Sequence, residues 1–155
     1  MDARRSAVYA AEHAVVGMID RGADVLFHGA RLSVQPDRKF GRVSDVERYL
    51  QWVRGNPWGH PDVPSPVVRV RRGEARATWE APATIAVPDA AWARRELVVL
   101  HEYAHHAVWH GSGGSDATHG APFCRVFADL VRNAVGPGAG LLLTDAFYRS
   151  GLFEP

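Results

Sequence analysis

Between Arg4 and Ile19 the apolar residues Val8, Ala11, Val15, Met18 and Ile19 recur at spacings of three and four, which predicts a helix ended by Gly22. Glu12 and His13, with Arg5 and Asp20, read as its solvent side. Ala23 to Lys39 shows no clear period and reads as irregular or weakly extended, with Val25-Leu26-Phe27 its most buried-looking part. Ser44-Asp45-Val46-Glu47 has the form of a capping box ahead of a short helix through Tyr49, Leu50, Trp52 and Val53. Gly55-Asn56-Pro57-Trp58-Gly59-His60-Pro61 breaks that helix. From Val67 the period falls to two: Val68-Arg69-Val70-Arg71 predicts a strand, Arg72-Gly73-Glu74 a turn, Ala75 to Trp79 a second strand and Thr84-Ile85-Ala86-Val87 a third. Pro88 stops the third strand, and Asp89 is placed to cap the helix that follows. That helix, with Leu97, Val98, Val99, Leu100, Ala104, Ala107 and Val108, is apolar on nearly every side and so predicted to be buried. A glycine-rich loop over Gly111 to Thr118 comes next. A helix through Phe127, Leu130, Val131 and Val135 ends near Gly136-Pro137-Gly138, and Leu141 to Leu152 forms a last short helix.

These elements sum to one α+β domain over residues 1–155, with an N-terminal helix, a small, mostly antiparallel three-stranded sheet, and two later helices. Composition narrows the choice of partners more than that of fold. With 46% hydrophobic and 23% charged residues the chain is globular, and a formal net charge of +1 gives no field for nucleic acid or an anionic membrane. Arg69 and Arg71 read as a solvated sheet face rather than a phosphate site, because Glu74 and Glu80 accompany them. The lone Cys124 excludes an intramolecular disulfide and a cysteine-rich zinc ribbon. No apolar run approaches the ~20 residues of a membrane span. The first residues lack the apolar core and cleavage site of a signal peptide, so a cytoplasmic location is expected.

The chemistry is concentrated in His101-Glu102-Tyr103-Ala104-His105. Two histidines four apart lie one turn apart on one helix face, about 6 Å along the axis, so both rings can reach one small cation. Glu102 points to the side, where it can touch a water on that cation without ligating it. Two ligands plus a general base is the content of a His-Glu-x-x-His zinc site. Histidines merely hydrogen-bonded in a core would not require the base and both rings together, and three polar groups in a buried helix are costly unless paired or metal-bound.

A catalytic zinc usually has three protein ligands and one position for water. The variant with a histidine six residues past the second motif histidine is excluded, because Gly111 stands there. His106 and His110 lie well round the helix from the His101/His105 face and read as supporting or surface residues. His119, at the entrance to the next helix after a glycine-rich loop, is the best third ligand; Asp116 and Asp129 are the alternatives. Tyr148, Arg149 and Tyr103 are candidates for a donor to a developing oxyanion. Trp52, Trp58 and His60 are candidate cleft residues, and Thr84 to Val87, if an edge strand, could pair with an extended peptide.

His101-Glu102-x-x-His105 followed by His119-Gly120-x-x-Phe123 resembles the SprT-like zincin metallopeptidases, in which the histidine of the second segment is the third ligand. Arg5, Val8-Tyr9-Ala10-Ala11-Glu12, Ile85-Ala86-Val87-Pro88, Trp92-Ala93, Glu96 to Glu102 and His119 to Phe123 resemble an actinobacterial and phage family of small HExxH metallohydrolases over most of the chain. The resemblance implies a minimal zincin-like fold, one catalytic Zn²⁺ on His101, His105 and His119, Glu102 as base, and a peptide or protein substrate. SprT proteins often carry a C-terminal zinc ribbon or DNA-binding segment; this chain has neither, so the peptidase core is implied and DNA–protein crosslink repair is not. A non-catalytic metal- or peptide-binding module of the same fold, and a non-peptide amide hydrolase, are the alternative functions.

Overall fold

Residues 2–22, 24–73, 75–114 and 118–153 are described by the computed structural model, and among them the chain is mixed α+β with five α-helices and two small sheets. In chain order these are α1 (Ala3–Arg21), β1 (Asp24–Phe27), β2 (Ala30–Ser33), α2 (Val43–Arg54), β3 (Val67–Arg71), β4 (Thr78–Glu80), β5 (Thr84–Pro88), α3 (Glu96–Ser112), α4 (Ala121–Ala134) and α5 (Pro137–Arg149). The chain divides into two compact units, one of Met1–Asp37 with Ala117–Pro155 and one of Arg38–Asp116. Among the described residues no helix is long and apolar enough to cross a membrane.

In the first unit α5 packs against both α1 and α4. Val8, Ala11, Val15 and Ile19 of α1 are buried, as are Phe123, Phe127 and Leu130 of α4 and Leu143 and Phe147 of α5. The rings of Phe123, Phe127 and Phe147 follow one another at 5.7 and 6.1 Å between centroids. Gly140 lets α5 lie close on α4, since a Cβ there would overlap Arg132. Glu12, expected at the surface, is buried; it is four residues from Val8 and three from Val15, so it stands on the apolar stripe itself. His13 is exposed as expected. The segment expected to be irregular or weakly extended contains the β1–β2 hairpin, turned by His28 and Gly29 with φ of 48° and 82°, and Leu26 of its expected buried stretch is 76% exposed on that hairpin. A type I′ two-residue turn needs positive φ at both central positions, and histidine tolerates this better than most residues. The last helix starts at Pro137, four residues before Leu141, because proline is well suited to the first helical position.

Cys124 is fully buried on α4, and burial pushes its thiol up to about 11, partly offset by Arg4 and Arg125. At pH 8 only on the order of one thiol in a thousand would then be thiolate in the folded protein. The native chain is expected to resist a thiol-specific reagent at pH 8 and to label readily in denaturant; rapid native labelling would contradict this burial. The thiol ionises near 9 when unfolded and near 11 when folded, so its contribution is intact below pH 9 and is lost as pH rises towards 11.

In the second unit β5 is the central strand of the order β3-β5-β4. Ile85, Ala86 and Val87 are each fully buried, the continuous pattern of a strand covered on both faces. It pairs parallel with β3 (Val68 opposite Ile85) and antiparallel with β4 (Trp79 opposite Ile85). The sheet is therefore half parallel, not mostly antiparallel: β4 is Thr78–Glu80, later than the strand expected over Ala75 to Trp79, and it pairs with β5 instead of folding back on β3, while Glu74 of the expected turn lies outside the described residues. The idea of Thr84 to Val87 as a free edge for a peptide is overturned as well, since both its edges are taken. Two expected caps also move. Asp45, not Ser44, closes the start of α2 by accepting the Arg42 N–H at 3.1 Å, and Asp89 pairs with Arg94 while α3 begins later, after Arg95.

The start of α3 is fixed by a strip of the same unit. Phe40 N donates to Arg94 O at 2.8 Å, Glu96 N donates to Arg38 O at 2.8 Å, and Lys39 and Arg95 form an isolated antiparallel bridge. The Glu96 side chain, fully buried, accepts from the Arg38 backbone N–H at 2.9 Å, from Arg38 Nη1 at 2.7 Å and from the Tyr49 hydroxyl. A negative charge on the first residue of a helix is also favoured by the helix dipole.

Candidate metal centre

The site is built first on α3. Positions 101 and 105 fall one turn apart, and their Nε2 atoms lie 3.2 Å from each other. Two ligands on one tetrahedral zinc, with Zn–N bonds of ~2.05 Å, would stand about 3.3 Å apart, so the pair is already at ligand spacing. Glu102 is buried, with one carboxylate oxygen 4.0 Å from His101 Nε2. That oxygen is beside the place where the two rings aim without being a third member of their pair.

The opposite side of α3 explains why the other two histidines are not ligands. His106 is fully buried between Trp79, whose indole N–H donates to Nδ1 at 3.2 Å, and the Pro64 carbonyl, which accepts from Nε2 at 2.7 Å. Both ring nitrogens are thus engaged by the sheet side of the unit. Burial lowers its pKa, against an opposing pull from the Pro64 carbonyl, and a neutral ring is what one accepted and one donated bond require. His110 Nε2 meets the Pro82 carbonyl at 2.7 Å. Tyr103 is fully buried too, and its hydroxyl donates to the Gly59 carbonyl at 2.6 Å; burial raises its pKa. Gly59 comes close enough to receive that bond because it has no side chain: a Cβ there would overlap the Val53 carbonyl.

His119 immediately precedes α4, whose N-cap is Gly120 and whose first turn holds Pro122. It is 5% exposed, with its ring 5.1 Å from that of Phe123 and 6.0 Å from that of Tyr9. Its Nδ1 lies 2.5 Å from Asp2 Oδ2. Burial raises the Asp2 carboxyl, but the hydrogen bonds from His119 and from the Arg4 backbone outweigh it and hold the group below its ordinary value. Asp2 was not legible as a site residue, since 117 positions separate the partners.

One nitrogen from each of His101, His105 and His119 lies within 4.8 Å of the others, a group of three that could hold a metal ion. The donor set fits a borderline-soft divalent cation: three imidazoles are a well-attested zinc ligand set. The weaker alternatives fare differently. Asp129 pairs with Arg132 on α4, and Asp116 lies outside the described residues, as does the middle of the 111–118 loop. The described part of that loop begins as α3, which continues to Ser112 before Gly113 ends it at φ 68°. Tyr148 is 53% exposed on α5, and Arg149 pairs with Asp145 at 2.7 Å. Trp52 and Trp58 meet edge to face at 5.7 Å, and His60 takes a left-handed turn at φ 59°. No family model, curated protein or solved structure matches this chain.

Proposed function

We propose that this chain is a zinc-dependent metallopeptidase of the zincin type, related to the SprT-like enzymes, with His101, His105 and His119 as ligands and Glu102 as general base. The observation that carries the reading is the grouping of three imidazole nitrogens within 4.8 Å, with a buried carboxylate one residue along from the first. Three protein ligands leave a tetrahedral position for solvent, which distinguishes catalytic zinc from structural zinc. When bound, the metal would supply a Lewis acid for a carbonyl and lower the pKa of a coordinated water towards ~7. Glu102 takes the proton of the attacking water and returns it to the leaving amine. His101 and His105 hold their nitrogens at ligand spacing by helix geometry alone. Of the groups expected as oxyanion donors, Tyr103 gives its hydroxyl to Gly59 and Arg149 pairs with Asp145, which leaves Tyr148 of α5.

The test is cleavage of a peptide library by zinc-loaded protein, with product masses read by mass spectrometry, with and without a chelator. Chelator-sensitive release of new peptide termini is expected. Zinc binding without cleavage would make the chain a non-catalytic module, and turnover confined to small non-peptide amides would make it an amidohydrolase.

A further inference from the structure

We infer that Asp2 is a positioning residue for the metal ligand His119, and that one carboxylate both starts α1 and selects the histidine tautomer. This rests on the reading of His119 as a ligand. Asp2 is the N-cap of α1: its Oδ1 accepts the Arg4 backbone N–H at 3.1 Å. Its other oxygen, Oδ2, is 2.5 Å from His119 Nδ1. An ionised carboxylate can only accept, so Nδ1 is the nitrogen that carries a proton, and in a ligating ring Nε2 presents its lone pair. Nε2 is then the nitrogen that meets a cation. A ligating histidine that gives its second N–H to a carboxylate is fixed in ring orientation and made more basic, and loss of such a partner typically costs 10–100-fold in metal affinity. The ring is buried between Tyr9 of α1 and Phe123 of α4, so the end of α1 supplies both a wall and the orienting charge.

Two substitutions separate positioning from capping. Serine and asparagine cap helices about as well as aspartate. Asp2→Ser keeps the cap but is too short to reach His119. Asp2→Asn keeps size and cap, but with its oxygen on Arg4 it turns an N–H towards Nδ1 and favours the tautomer with the proton on Nε2. Zinc affinity is measured for the full chain by competition with a chelating dye, and the His119 tautomer of the metal-free protein by nitrogen-15 NMR. The expected result is 10–100-fold weaker zinc binding by both variants, and a proton on Nδ1 in the parent chain that moves to Nε2 in the variants. The thermal midpoint of the metal-free protein should fall modestly in both variants, because the buried His119 ring loses its carboxylate, so the tautomer and the zinc affinity are the readouts that separate positioning from stability. Equal affinity and an unchanged tautomer in both variants would overturn the role of Asp2. Should the parent chain bind no zinc, the ligand reading fails separately, and the tautomer comparison still decides whether Asp2 orients the ring.

Discussion

Replacing Glu102 with glutamine is expected to leave zinc bound and to reduce peptide hydrolysis by about 10²–10⁴-fold, the range for loss of a positioned general base. Glutamine has the same shape and keeps a carbonyl oxygen, so the packing of a residue only 4% exposed is preserved. What disappears is the ability to accept a proton. The 4.0 Å between the carboxylate and His101 Nε2 puts Glu102 next to the ligand set but outside it, so metal content should survive. The loss should appear in kcat more than in KM, since the interaction is made in the transition state. Turnover equal to the parent chain would remove Glu102 from the mechanism, whereas loss of the metal would show that it serves the site as a ligand.

The largest expected effect on stability is at Glu96. Its buried carboxylate receives three donors, two from Arg38 and one from Tyr49. Glu96→Ala leaves the Tyr49 hydroxyl and the Arg38 backbone N–H without that acceptor, at about 1–3 kcal/mol each. The ion pair itself adds little, because the Arg38 side chain is 53% exposed and its charge is screened by water. A total of about 3 kcal/mol is expected in denaturant unfolding, with the slope of the transition unchanged. Glu96→Gln should cost less, since it keeps an acceptor oxygen and loses only the charge. A cost under about 0.5 kcal/mol for the alanine variant, the range of an ordinary surface change, would show that Glu96 does not hold the strip at residues 38–40 to the start of α3. That strip fixes where the helix begins, five residues before His101.

What the sequence made legible follows from how local each feature is. The spacing of His101, Glu102 and His105 fixes their relation through helix geometry, so the structure reproduces it without help from the rest of the chain. α1, α2 and α4 were readable for the same reason, as each has its own apolar period. The sheet was less so: strand positions came from alternation, but β5 entering between β3 and β4 is a matter of long-range pairing that alternation does not encode. The β1–β2 hairpin depended on a His-Gly turn, a weaker signal than Asn-Gly. Glu12 is buried against its charge because its place on the helix wheel is the apolar stripe of α1. His106 stands off the His101/His105 face by helix geometry, but its engagement by Trp79 and Pro64 depends on partners 27 and 42 residues away.

Zinc stoichiometry in the parent chain and in His119→Ala, measured on protein loaded with zinc and dialysed to equilibrium, addresses the metal centre most directly. A single tightly held zinc ion per parent chain is expected, with loss of stoichiometric binding in the variant and His110→Ala unaffected. A parent chain that retains no zinc, or a His119→Ala variant that holds it as tightly, would contradict this.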